Sequence, residues 1–296
     1  MFRNLSAAAL GVSGHQSEII ELALTYGFQG LDIDIAEFTT RAKLKGADYA
    51  KRLIQSARLR PGTFELPLEI DGDDALFAKR VQRLSEYAQV AAEVGCTRAV
   101  AAINPASDSR PYHENFEFHR QRLAEVCRAL QTGGVRLGLT FQAAEYLRKG
   151  RSFQFIHDLD ALTLLVNMIG APNVGLLLDV WELHVGGVTV DTIRKLPPAQ
   201  IVAVQVANVP LEVAPADLNE SSRLLPGAEG AIDMPTVLLA LSEIGYDGPV
   251  TPKPSRGIFR NLRRDAIVKE SGESLVRVWK AAGLGAHGRP VAPARG

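Results

Sequence analysis

The sequence predicts an α/β fold, a single-domain (β/α)8 barrel, on three observations. Its 296 residues suit one barrel, since barrels of this kind typically take about 250 residues. Short apolar runs of β character alternate with longer stretches of helical period, the pattern of a parallel sheet covered by helices. The alternation yields eight strands, and no break in composition marks a second domain.

Leu5 to Gly11 is the first apolar run, followed by an amphipathic stretch with Ile19, Ile20, Leu22, Ala23 and Leu24 before Gly27. Gly30 to Ile35 reads as strand two, a helix lies within Arg41 to Arg58, and strand three follows Pro61 and Gly62. Phe77, Val81, Leu84, Ala88 and Ala91 recur at steps of three and four and predict a helix that Gly95 stops. Strand four is Thr97 to Ile103. Phe116, Leu123, Val126, Cys127 and Leu130 form the next helical stripe, ended by Gly133 and Gly134, and Val135 to Phe141 is strand five.

Leu162, Leu165, Val166 and Ile169 mark a helix that stops at Gly170, and Val174 to Asp179 is strand six. A short helix over Thr189 to Leu196 precedes strand seven, Ile201 to Ala207, and a long connection runs on to Asp233. Helix Met234 to Ile244, strand eight at Pro249 to Lys253 and a last helix from Arg263 to Ala282 complete the count. The barrel is thus expected over 1–283, with residues 284–296, rich in Gly, Pro and Arg, expected to fray as a flexible tail.

Lys plus Arg and Asp plus Glu are both 33, so no excess of positive charge draws a phosphate backbone or an anionic membrane. Neither nucleic acid nor membrane is expected as a partner. Cys96 and Cys127 lie in apolar patterns without a paired spacing and read as buried free thiols. The first residues lack a sustained apolar core followed by a cleavage site, and no apolar run reaches about 18 residues, so a cytoplasmic protein is expected. No Walker loop, no Gly-x-Gly-x-x-Gly after a strand and no Ser or Cys nucleophile motif occurs, and no cofactor is expected.

In a barrel of this kind the C-terminal ends of the strands point into one shared pocket. Here those ends carry Asp34, Glu65 or Glu69, Asn104, Thr140, Asp179, Gln205 and Lys253.

The stretch from Asn173 through Asp179 to His184 resembles the sixth-strand signature of the xylose-isomerase-like sugar isomerase/epimerase family of TIM barrels, which includes the inosose isomerases. Pro226 to Asp233 resembles that family's loop before helix seven, and Ile244 to Val250 its lead into strand eight. Tyr26 to Leu31 and Gly134 to Leu139 resemble its second and fifth strands. The likeness holds in order and spacing from Ala9 to Ala282.

That resemblance implies a divalent metal held by Glu, Asp, His and Glu at the ends of strands five to eight. Of these only the aspartate is present, as Asp179. Thr140, Gln205 and Lys253 stand at the other three positions, and Glu182 replaces a His common three residues after the Asp. One carboxylate, a hydroxyl, an amide and an ammonium sum to zero charge without an ion. A Lys253 within ~4 Å of Asp179 attracts it by roughly 4 kcal/mol at an effective dielectric of ~20, and repels a dication there by about twice that. No metal is therefore expected, with the Lys253 ammonium standing in for it. Desolvated, the same lysine would instead serve as a base or Schiff-base nucleophile.

Glu182, Asp179 and Lys253 are the candidate catalytic residues. Candidate substrate contacts are Thr140, Gln205, Trp181, His184, Arg223 and Asp34. Trp181 either stacks on a sugar ring or packs against the rim. Arg223 matches a substrate-facing arginine of the family, or is an ordinary surface arginine. Asp32 and Asp34 share one face of strand two, with Asp34 the expected pocket residue. His113, His119 and His157 lack metal-ligand spacing and read as solvated or capping residues.

The resemblance implies a sugar or cyclitol isomerase or epimerase, on free or phosphorylated substrates, moving a proton next to a carbonyl. The alternative is a noncatalytic barrel that binds a sugar or a partner. A metal-dependent endonuclease of the same fold is disfavoured by the neutral charge. Homo-oligomerisation is left open.

Overall fold

The computed structural model describes residues 1–291. Eight parallel strands form its sheet: β1 (Phe2–Leu5), β2 (Gly30–Leu31), β3 (Arg60–Pro61, resumed at Phe64–Glu65), β4 (Arg98–Ala102), β5 (Arg136–Thr140), β6 (Val174–Asp179), β7 (Ile201–Val206) and β8 (Pro249–Pro252). The first part of β3 pairs with β2 and the second with β4, so the interrupted strand joins the two ends of the sheet. Ile33 N donates to Thr63 O across the interruption, and β1 pairs with β8. The barrel is closed.

Around it lie α1 (Gln16–Thr25), α2 (Ile35–Lys45), α3 (Ala47–Gln55), α4 (Asp74–Val94), α5 (Tyr112–Gln131), α6 (Leu159–Ile169), α7 (Val180–Val185), α8 (Val190–Lys195), α9 (Met234–Glu243) and α10 (Arg264–Ala281). Aspartates cap several of them: Asp34, Asp73, Asp158, Asp179 and Asp233 each accept from backbone N–H groups of the first turn. Each such cap contributes about 1 kcal/mol. Gly95 and Gly170 end α4 and α6 in the left-handed conformation, at φ 79° and 68°.

The strand and helix order matches the expected one. Three local readings change. The first strand is Phe2–Leu5, and the Ala-rich run after it turns across the barrel mouth. The helix expected within Arg41 to Arg58 is two helices broken at Gly46 (φ 84°), the first beginning directly after strand two. Residues 284–291 do not fray. Gly285 and Gly288 carbonyls accept from Trp279 and Ser242, Ala286 O accepts from Gln29, and Leu284 bridges Pro290, which fastens this segment to the barrel. Residues 292–296 of the expected tail lie outside the described residues.

Val100, Leu177 and Ala203 form a small apolar floor inside the barrel, apart from the large core between strands and helices. Both cysteines are buried and free, and burial pushes each thiol up to about 12. Among the described residues no helix is long and apolar enough to cross a membrane.

Candidate active site

Strand register sets the mouth of the barrel. Gln205 pairs with Asp179 on β6 and with Thr251 on β8, and Lys253 N donates to Val206 O, so the strand ends stand side by side. A cavity of about 510 Å3 opens there, lined on one side by Thr140, Gln205 and Lys253 and on the other by Glu65, Asp71 and Asn104. It merges through Glu65, Gln205 and Lys253 with a cavity of about 340 Å3, and through Glu65 with one of about 520 Å3 beside β1 and β2.

Lys253 Nζ donates to Asp179 Oδ2 at 3.2 Å and to Gln205 Oε1 at 3.0 Å, with its side chain 30% exposed to the cleft. Beneath it lies a second cation that the sequence reading had facing the substrate. Arg223 is almost wholly buried. Its Nη1 donates to both oxygens of Asp179, at 2.9 and 3.0 Å, its Nη2 to Glu182 Oε1 at 2.7 Å, and its Nε to Glu220 Oε2 at 3.0 Å. The guanidinium lies 4.4 Å from the ring of Trp181. The loop that delivers it is stitched to the end of β7, where Asn208 and Leu224 exchange two backbone hydrogen bonds, and Arg223 O accepts from Ser255 N.

These contacts divide the two buried carboxylates. Burial pushes Asp179 up, but Arg223 and Lys253 outweigh it and hold the carboxyl below its ordinary range. Glu182 moves the other way, raised to about 7 by burial first and by Asp179 second, with Arg223 only partly compensating. Its Oε2 accepts from Ala143 N at 2.7 Å. Arg223, with so many anionic neighbours, keeps its proton more firmly than a free arginine despite its burial.

Several expected roles change with this geometry. Trp181 is 1% exposed, packed under Arg223, and offers no face to a sugar ring. Arg223 serves Asp179 and Glu182 rather than a ligand. Both carboxylates are buried with their oxygens occupied, so neither reaches the cleft to move a substrate proton directly. His184 borders a separate hollow with Leu183 and Val190, away from Lys253. Asp34 caps α2 and, as expected, lines the cavity beside β1 and β2, while Asp32 reaches both that cavity and the one at Lys253. Asn4 and Thr63 donate to the Asp32 carboxylate at 2.7–2.9 Å; burial outweighs those bonds and pushes its carboxyl up. Thr140, Gln205 and Lys253 do line the cavity.

The four positions matching the family's metal ligands carry a hydroxyl, a carboxylate, an amide and an ammonium. Both oxygens of that carboxylate already face cations. Among the described residues no group of three or more His, Cys, Asp or Glu is placed to hold a metal ion. At ~4 Å and an effective dielectric of ~20, each unit cation repels a dication by about 8 kcal/mol, and two cations stand here. The residues do not fit a divalent ion at Asp179.

The model of the xylose isomerase-like TIM barrel family matches residues 20–277. The chain belongs to that family. Among curated relatives it is similar to the inosose isomerase of Bacillus subtilis (strain 168), 25% identical over 157 residues, or 53% of each chain. It is 29% identical over 111 residues to that of Bacillus velezensis, covering 37% of this chain and 39% of the relative. The chain thus spans about half or less of the length of these relatives. A xylose isomerase domain protein from Alicyclobacillus acidocaldarius superposes with a TM-score of 0.84 at 25% identity, over 95% of this chain and 99% of that one. The IolI protein with a bound zinc atom superposes at 0.77 and 18% identity, over 95% and 99%, a likeness of fold alone. Within this xylose isomerase-like barrel, Arg223 and Lys253 both pair with Asp179.

Proposed function

We propose that this chain acts on a sugar or cyclitol, moving a proton next to a carbonyl without a divalent metal. The observation that carries the reading is the Lys253 ammonium, anchored on Asp179 and Gln205 yet open to the cleft. A cation so placed suits a carbonyl oxygen that gains charge as the neighbouring C–H bond breaks. Family membership and the inosose isomerase relatives support the substrate class.

Glu65 is best placed to take the proton. It lines all three merged cavities, is exposed, and has no partner among the described residues. In this scheme the C–H pair becomes the C=C of an enediol or enolate, the carbonyl pair moves onto the oxygen facing Lys253, and Glu65 holds the proton. Return of the proton to the former carbonyl carbon, while the hydroxyl proton of the neighbouring carbon passes to the enolate oxygen and a new C=O forms there, isomerises the substrate; a proton from water on the opposite face, with Glu65 releasing its own to solvent, epimerises it. Asp179 acts only through Lys253, keeping it aimed.

The saturation of Asp179 and Glu182 favours a second reading, a sugar-binding barrel without catalysis. Proton exchange in heavy water over a panel of ketoses, aldoses and inososes separates the two. Exchange that Lys253→Ala abolishes, and that Glu65→Gln slows by about 10²-fold or more, is the expected result. Binding of a sugar with no exchange contradicts the enzyme reading and supports the second.

A further inference from the structure

Across the cavity from Lys253, the loop between β3 and α4 presents Asp71. Two buried residues of α5 hold that loop. His119 and Arg122 stand three apart and so share a helix face. Arg122 Nη1 donates to Ile70 O at 2.6 Å and to Gly72 O at 2.7 Å, the carbonyls on either side of Asp71. Its Nη2 pairs with Asp74, and its guanidinium packs over Phe77 and Phe118.

His119 is wholly buried and sets its Nε2 3.1 Å from Asp71 Oδ1. Its Nδ1 lies 2.8 Å from Asn115 O, an acceptor only, so Nδ1 carries a hydrogen. Asn104 donates to the other oxygen of Asp71 at 2.6 Å. Burial opposes charge on Asp71, but the close His119 ring, the Asn104 amide and the charge of Arg110 outweigh it and lower the carboxyl. A carboxylate that keeps 32% of its side chain exposed is thus fixed from behind by three side chains. Such support is what a binding group needs if its lone pairs are to stay aimed.

The charge around it selects a ligand. Glu65, Glu69, Asp71, Asp32 and Glu220 line the two cavities at Lys253, against Lys253 and Arg256. Lys253 is paired with Asp179, Glu220 with Arg223, and Glu69 lies 3.8 Å from Arg80, which leaves Glu65 and Asp71 set against Arg256. A phosphate dianion meets a field of its own sign here, whereas neutral hydroxyls find acceptors.

We infer that Asp71 is a substrate-binding carboxylate that accepts hydroxyl hydrogen bonds, with His119 and Arg122 as positioning residues, and that the cleft takes unphosphorylated sugars or cyclitols in preference to their phosphate esters. The inference rests on the sugar-site reading above and adds the substrate class.

Saturation-transfer NMR and calorimetry on the full chain test it, with myo-inositol, D-fructose and D-glucose as probes beside inositol phosphate, fructose 6-phosphate and glucose 6-phosphate. A neutral probe is expected to bind, with its phosphate ester about tenfold weaker or worse, and Asp71→Asn is expected to weaken the neutral probe by about tenfold. His119→Gln is expected to weaken it too, and the His119→Gln, Asp71→Asn double variant to be no weaker than Asp71→Asn alone, a non-additivity that a purely structural histidine would not give. Should Asp71→Asn fail to fold, Glu69→Gln reads the charge term alone and is expected to narrow the preference against the phosphate esters. Tighter binding of an ester than of its parent, or a neutral probe bound equally by Asp71→Asn, overturns the inference and leaves the sugar-site reading standing. Failure of every probe to bind overturns both.

Discussion

Arg223 buries a full positive charge among three carboxylates, and its removal would leave Glu182 without a side-chain partner and Asp179 with Lys253 alone. Breaking a buried pair from one side costs about 3–5 kcal/mol. Arg223→Met should lose that much in urea denaturation, and Arg223→Lys less, since it keeps the charge but not the fork. Glu182 supplies a pH signature. Its folded-state value of about 7 lies above the ordinary 4.5, so the folded protein holds this proton more tightly than the unfolded chain. The stability it contributes is complete below the ordinary value and is lost as pH rises through about 7. Asp179, held low, runs oppositely: its contribution is present above 3.8 and lost as pH falls below. The buried N-terminal amine, lowered to about 6, opposes the Glu182 slope above that pH, so the test is the difference: between pH 4.5 and 7 the wild type should lose stability relative to Glu182→Gln, whatever constant penalty the substitution adds. Sequence could name Asp179 and Lys253 because strand ends have a fixed place. Arg223 arrives on an irregular loop over 207–233, where no periodicity says which way a side chain turns.

At the scale of elements, α5 shows what the pattern offered and what went unread. Its apolar stripe runs through Phe116, Leu123 and Val126, and His119 lies three after Phe116 and four before Leu123. Arg122 falls four before Val126. Both therefore belong to the buried face, a signal sufficient to remove His119 from the solvated histidines and to ask what it meets. The start of α2 was legible in the same way, with Ile35, Phe38 and Thr39 buried at helical spacing behind the Asp34 cap. It was missed because the alternating residues of strand two run straight into it. Strand one was misplaced because Ala and Leu give the same apolar run in a turn as in a strand. The α4–α5 contact tolerates no side chain at Gly133, where a Cβ would sit 2.0 Å from Ala88 O. The obstructing atoms are α4 backbone, not the end of a flexible side chain, so Gly133→Ala should cost at least about 1–3 kcal/mol, read as a fall in melting temperature with the barrel's far-ultraviolet spectrum retained.

For the whole molecule, the barrel was legible because eight strand-and-helix periods leave few other ways to bury so many apolar faces. Composition could not show how the two ends are finished. The lower end is fastened by residues 284–291 through single hydrogen bonds to Gln29, Ser242 and Trp279, which leave no periodic trace. The upper end joins charges from β6, β8 and the 207–233 loop, so its balance emerges only when the strands close. Two cations there hold one strand-six carboxylate where relatives are expected to hold an ion. Elemental analysis of the purified full chain, with calorimetric titration of Mn2+ and Zn2+, tests this most directly. The expected result is no stoichiometric transition metal and no saturable binding, with a melting temperature that chelator leaves unchanged. One tightly bound ion per chain, lost in Asp179→Asn, would contradict it.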